Sequence, residues 1–209
     1  MLDQPPPSPD LSRATVEAKP AASLLVLRPG NMPEVLMGMR GARHKFMPNR
    51  LVFPGGRVDA EDHSASPATP LADHVQSRLA RAADASLVRA LGIAAARELE
   101  EETGLTMGAP PVLHGIDYLC RAITPEGLPV RFDARFLVVD VAHVAGTLAG
   151  SGELEDLRWY AVADALALDL ALPTRGVLEQ LLLWIAMDFA ARDARATVAT
   201  LRNRGWEME

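Results

Sequence analysis

Residues 94–105 read AAARELEEETGL, and four carboxylates, Glu98, Glu100, Glu101 and Glu102, crowd into five of those positions. Upstream, Leu87, Leu91, Ala95 and Leu99 recur at every fourth residue, which predicts a helix. Gly104 suits the left-handed residue that ends a helix, and Leu105 suits the apolar contact that follows it. On this helix Glu98 stands i,i+3 from Glu101 and i,i+4 from Glu102, so these three share a face while Glu100 points elsewhere. Like charges at such spacing repel by about 0.2–0.5 kcal/mol per pair. The last turn is also where the helix dipole disfavours anions. Helix propensity therefore gives no reason for the arrangement. A divalent cation held by the three carboxylates would reverse the sign of both penalties, whereas a solvated acidic face would leave them in place.

A second stretch decides between these readings. Residues 53–62 are FPGGRVDAED, and two glycines after the short apolar run Leu51-Val52-Phe53 allow a sharp turn and close approach of backbone to a ligand. Together the two stretches resemble the Nudix box, G-x5-E-x7-R-E-U-x-E-E-x-G-U, where U is a bulky apolar residue. Gly56 opens the pattern, and Asp62 stands where the family has Glu. Arg97, Glu98, Leu99, Glu101, Glu102, Gly104 and Leu105 fill its second half without a mismatch. Between the halves, residues 63–96 make 34 positions where the common box has seven, an insertion of 27. The resemblance covers the box and, more loosely, residues 20–185.

The resemblance implies an α/β/α sandwich with a mixed sheet, here with a helical insertion within the box. It also implies a metal-dependent hydrolase that cleaves the diphosphate of a nucleoside diphosphate linked to another moiety. Hard cations such as Mg²⁺ or Mn²⁺ take oxygen ligands, and Glu98, Glu101 and Glu102 would supply them, with the backbone carbonyl of Gly55 as a further ligand. Arg97 is expected to orient a catalytic carboxylate through a salt bridge, a task suited to its planar fork. The general base is left open among Glu98, Glu101, Glu153 and Glu155, the last two lying in an acidic loop before the Trp-containing stretch Leu157-Arg158-Trp159-Tyr160.

Basic residues cluster just before the glycine turn. Arg40, Arg43, His44, Lys45 and Arg50 precede it and Arg57 follows. Arg40, Lys45, Arg50 and Arg57 are the candidates for a polyphosphate-facing rim. An expanded box resembles the coenzyme A diphosphatase branch, as does the spacing of Lys45, Asn49 and Phe53-Pro54-Gly55-Gly56. Coenzyme A or an acyl derivative is therefore one expected substrate. ADP-ribose, NADH and dinucleoside polyphosphates are the alternatives within the family, and a non-catalytic nucleotide-sensing domain is the alternative outside catalysis.

The remaining chain sets bounds. Its 209 residues suffice for one domain with a sizeable core. A net charge of −6 argues against a nucleic-acid binder. The single cysteine, Cys120, forbids an internal disulfide and suits a reducing compartment. Residues 1–20, with the run PPPSPD, read as a flexible leader without the apolar stretch of a signal peptide. Because the apolar run Leu181–Ala191 is short and interrupted by Asp188, no membrane span is expected, and the protein is expected to be cytoplasmic.

The domain proper is expected over 21–192. It would comprise a strand at Ala21–Arg28 with a hairpin partner at Glu34–Arg40, a helix at Leu71–Ala83, and a second helix capped near Ser86. Two long strands at Ile116–Ile123 and Val130–Val141, a short helix at Val162–Leu168 and a last helix capped by Thr174 would complete it. Residues 193–209 read as a helical extension or a tail. The apolar last helix could serve a homodimer, by analogy with relatives. His63 and His74 lack a partner at metal-ligand spacing.

Overall fold

A computed structural model describes residues 16–41 and 49–209. Elements follow in the order β1 (Lys19–Arg28), β2 (Glu34–Arg40), β3 (Leu51–Val52), β4 (Gly55–Arg57), α1 (Ala60–Ser64), α2 (Asp73–Leu79), α3 (Ala85–Thr103), β5 (Leu105–Thr106) and β6 (Ile116–Ile123). Then come β7 (Phe132–Asp140), β8 (Ala145–Gly146), β9 (Leu154–Ala161), α4 (Val162–Leu166), α5 (Leu172–Ile185), α6 (Phe189–Asp193), β10 (Ala199–Arg202) and β11 (Gly205–Met208). Among the described residues, nine strands form one mixed sheet ordered β11-β10-β6-β7-β1-β2-β3, with β4 beside β1 and β9 beside β2. β1 runs parallel to β7, and β10 parallel to β6; the other pairings are antiparallel.

Alternation along the strands divides the apolar residues between two faces, as the period-two pleat requires. Leu24, Val26, Leu36, Leu137 and Val139 pack on one side against Leu91, Ala95 and Leu99 of α3. Leu25, Leu27, Val35, Met37 and Val138 pack on the other against Val177, Leu178 and Leu181 of α5. The result is the expected sandwich, with the sheet between two helical layers.

Several local expectations need correction. The helical insertion is part of the packed sandwich and its helix is shorter than expected, Asp73–Leu79, with Leu71, Val75 and Leu79 buried in the α3-side core. Arg78 of α2 is also buried and bonds to Asp117 and to the carbonyl oxygens of Arg192, Asp193 and Arg195. α3 is capped by Asp84, whose side chain accepts from Leu87 N. Ser86 sits inside the first turn with its hydroxyl 2.9 Å from His63 Nδ1. Asp and Ser cap about equally well, and the chain uses the earlier of the two. The last long helix starts at Leu172 with Pro173 in its first turn, so the buried Thr174 is not its cap.

The largest departure is at the C-terminus. Where a helical extension or a tail was expected, Ala199–Arg202 and Gly205–Met208 form a hairpin that adds two strands to the sheet edge beside β6. β-Branched Val198 and Thr200 favour extended backbone, and the turn residues Asn203 and Arg204 both take positive φ, 49° and 69°.

Candidate active site

Two elements far apart in sequence meet here. β4 lies antiparallel to the start of β1, with Ser23 opposite Gly55 and Ala22 opposite Gly56. This pairing fixes the glycine turn against the C-terminal half of α3. Gly55 N donates to Glu102 Oε2 at 2.8 Å. Gly55 has φ 154° and a Cβ there would lie 2.5 Å from Ala22 O, so only glycine fits. At Gly56 the crowding comes from the site itself, because a Cβ would lie 2.2 Å from Glu98 Oε1. The backbone thus cradles both carboxylates.

Arg97 serves as the hub. Its Nε and Nη2 donate to the two oxygens of Asp62 at 3.1 and 3.0 Å, and Nη1 donates to Glu98 Oε1 at 2.8 Å and to Glu101 Oε2 at 3.1 Å. Nη2 also donates to Arg57 O at 3.0 Å, and Asp59 lies 3.8 Å away. Asp62, the residue that departs from the family pattern, is 2% exposed and also accepts from Asp59 N, which closes the first turn of α1. The shorter side chain therefore reaches Arg97 with a fork-to-fork contact.

Electrostatics follow from this geometry. Burial pushes the Glu98 carboxyl above its ordinary range, against the pull of Arg97. Burial pushes Glu102 further, up to about 8; the Gly55 N–H opposes the shift and the charge of Glu98 adds to it. The Asp62 hydrogen bonds hold Arg97 protonated beyond its already high value.

A cleft of about 680 Å³ opens over these groups, lined by Gly55, Gly56, Arg57, Arg97, Glu98, Glu101, Glu102, Glu153 and Arg40 among others. Its floor includes Ala21, Ser23, Ala134 and Phe136, which share the sheet face of the α5-side core by strand parity. Of the residues expected to act, Gly55, Arg97, Glu98, Glu101, Glu102, Glu153, Arg40 and Arg57 are brought together. Arg50 is not: it turns to Asp169, 2.8 Å away, and does not line the cleft. Glu155 is exposed on β9 opposite Met39, away from the cleft lining. Lys45, Arg43 and His44 lie outside the described residues. Gly55, whose carbonyl was expected as a ligand, meets Glu102 through its N–H. Arg40 Nε is buried and has no hydrogen-bond partner among the described residues. The sequence reading missed Phe132, Phe136, Leu172, Leu201 and Arg204, which also line the cleft. No local pattern marks them, because three distant elements converge there.

The donors suit a hard divalent cation in kind, since all are carboxylate oxygens and two are buried with little compensating charge. Among the described residues, no three His, Cys, Asp or Glu side chains are spaced as a finished metal site. Glu98 and Glu101 both turn to Arg97, and Glu102 turns to Gly55. His63 bonds to Ser86, and His74 lies 3.5 Å from Asp193, so neither joins the cluster.

Residues 90–181 match the sequence model of the NUDIX domain. This stretch resembles a NUDIX domain. The matched span takes in the carboxylate half of α3 and begins beyond the FPGG turn. The structure is similar to that of a NUDIX hydrolase from Alicyclobacillus acidocaldarius, with TM-score 0.60 and 26% identity over 79% of this chain and 91% of that one. It is similar in fold to a MutT NUDIX hydrolase from Burkholderia pseudomallei, with TM-score 0.53 and 20% identity over 79% of this chain and 99% of the other. The NUDIX domain of Shewanella oneidensis NrtR, solved with ADP ribose, shares the fold at TM-score 0.50 and 18% identity, covering 87% and 95%. No curated protein matches the chain. The matched stretch and the fold are similar to those of NUDIX hydrolases, a family that acts on pyrophosphate bonds of nucleoside diphosphate derivatives. Among the described residues, no helix is long and apolar enough to cross a membrane.

Proposed function

We propose that this NUDIX hydrolase is a Mg²⁺- or Mn²⁺-dependent diphosphatase acting on a nucleoside diphosphate linked to another moiety, with coenzyme A or an acyl derivative as its substrate. The observation that carries the reading is the set of buried carboxylates, Glu98 and Glu102, pressed against the Gly55–Gly56 turn inside a cleft. Nothing in a purely structural role calls for these groups to be buried with so little positive charge.

Glu98, Glu101 and Glu102, with the Gly55 backbone, would hold the cation. A bound divalent ion supplies neutralisation of phosphate charge and a more acidic water. The chain's own groups do the rest. Arg40 and Arg57 flank the turn and would balance the charge of the diphosphate. Arg97, anchored on Asp62, positions Glu98 and Glu101 by holding one oxygen of each. One carboxylate oxygen then takes the proton of the attacking water. Among the cleft residues Glu98, Glu101 and Glu153 remain the choices for that base.

The coenzyme A assignment rests on the 34-residue spacing inside the box, the Lys45-to-Gly56 spacing and the basic residues near the turn. The test is hydrolysis of coenzyme A, ADP-ribose, NADH and a dinucleoside polyphosphate on one preparation, with Mg²⁺ and then with EDTA. Metal-dependent cleavage with the highest kcat/KM for coenzyme A is expected. A higher kcat/KM for another member would refute the coenzyme A assignment and keep the diphosphatase. Binding without cleavage across the panel would favour a nucleotide sensor.

A further inference from the structure

We propose that Arg204, in the turn of the C-terminal hairpin, binds a phosphate monoester that the substrate carries on its ribose in addition to the diphosphate. The proposal deepens the diphosphatase reading and rests on it.

The cleft is asymmetric. At one end Arg40 and Arg57 stand beside the glycine turn and the carboxylates. Beyond them the wall is apolar, formed by Ile123, Leu128, Phe132, Phe136, Leu172 and Leu201. Arg204 is a cation that lines this same cleft yet belongs to a different element. Such a lining fits a ligand with charge at both ends and an uncharged ring between them. Two phosphates at the turn are matched by Arg40 and Arg57, which leaves Arg204 for an anion set apart from the diphosphate. Arg97 is committed to Asp62, Glu98 and Glu101 and is not free for this task.

Pairing distinguishes Arg204 from its neighbours. Arg202 in the same hairpin bonds to Glu207 and Glu209, and Arg121 beneath it bonds to Asp133 and Glu209. Arg204 has no hydrogen-bond or ion-pair partner among the described residues. It also occupies a φ of 69°, where glycine would be easier and an L side chain is disfavoured. The hairpin beneath it is firmly seated. β10 pairs with β6, the Trp206 ring packs so closely on α5 that a Cβ at Gly176 would lie 2.6 Å from it, and Glu209 exchanges backbone hydrogen bonds with Val198. The side chain therefore projects from a fixed base, and a guanidinium fork is well suited to phosphate.

The experiment is calorimetric titration of the full-length protein, with Mg²⁺, by AMP, adenosine 2′,5′-bisphosphate and adenosine 3′,5′-bisphosphate. Wild type should bind one of the bisphosphates at least about tenfold more tightly than AMP, the size expected of a charge-assisted hydrogen bond. Arg204→Gly, which suits the left-handed turn, should keep or raise Tm while bringing that ratio to near one; Arg204→Lys should restore part of it. A ratio that survives Arg204→Gly, or is absent from wild type, overturns the proposal. Because this readout is binding, it stands apart from the hydrolysis assay, whose failure would instead remove the diphosphatase reading.

Discussion

The Asp117 cluster and the Glu98–Glu102 cluster use the same chemical groups in opposite proportion. Asp117 is one carboxylate among several donors: Oδ1 accepts from Arg78 Nη1 and Tyr118 N, and Oδ2 accepts from Trp184 Nε1 and Arg195 Nη2. The remaining Arg78 donors reach three backbone carbonyls, and Arg192 stacks 3.6 Å over the Trp184 ring. This cluster is closed and ties α2 to the chain after α5. At the glycine turn, among the described residues, one guanidinium serves Asp59, Asp62, Glu98 and Glu101, while Glu102 has a single backbone N–H. Surplus buried acid with an opening to solvent is an arrangement that a cation completes. The difference teaches that burial of charge alone marks neither stability nor function; the ratio of acid to base and access to the cleft separate the two.

The comparison breaks first at Asp117. Replacing it with Ala leaves the Arg78 guanidinium, with 4% of its side chain exposed, without its charge partner. Loss of one member of a buried pair costs about 3–5 kcal/mol, so a large shift in denaturant midpoint is expected, with turnover per folded molecule retained. The opposite pattern belongs to Glu102→Gln, for which turnover should fall roughly a hundredfold or more while the far-ultraviolet spectrum stays unchanged. Near-full activity at saturating Mg²⁺ would show that the cluster is not the active site.

Gly56→Ala probes the cradle. Its added methyl meets the end of the Glu98 side chain, which can move, so Tm should change little while kcat drops about tenfold through misplaced carboxylate oxygens.

The remaining expected effect is a dependence on pH. With Glu102 raised from 4.5 to about 8 in the folded, metal-free chain, the folded state holds a proton that the unfolded state has released between those values. Stability in EDTA should therefore be greatest below about pH 4.5 as far as this group is concerned, and decline as pH rises through about 8. Glu102→Gln lacks this term. The Tm difference between variant and wild type should grow by roughly ten degrees from pH 5 to pH 8.5, and a constant difference would show that Glu102 titrates normally.

Local signals made the carboxylate helix legible. Apolar residues at every fourth position and Gly104 at the end define α3 without reference to the rest of the fold, and Glu98, Glu101 and Glu102 follow from it. The turn at Gly55 was legible for the same reason. Their meeting was not a matter of periodicity and came through the resemblance to a known motif. Beyond reach were Asp62 as the anchor of Arg97 and Arg50 as a partner of Asp169, because each depends on which surface lies opposite. Arg204 was hidden more deeply. Its place in the cleft requires β10 to pair with β6, and a four-residue strand carries too weak a pattern to announce that pairing.

Gly55 and Glu102 are 47 residues apart in the chain, and this separation bears on how the molecule folds. Closing a loop becomes costlier only with the logarithm of its length, about 0.6 kcal/mol per doubling. A chain with half that spacing would gain little at equilibrium. Val75 and Leu79, which the intervening segment buries, outweigh the difference, since each buried side chain contributes about 1.5–3 kcal/mol. The consequence falls on kinetics. α3 can form from neighbouring residues, but its carboxylates face their turn only after β1 has found both β4 and the distant β7. Contacts of such long range form slowly, so the helix should gain protection from hydrogen exchange before the Gly55 amide does.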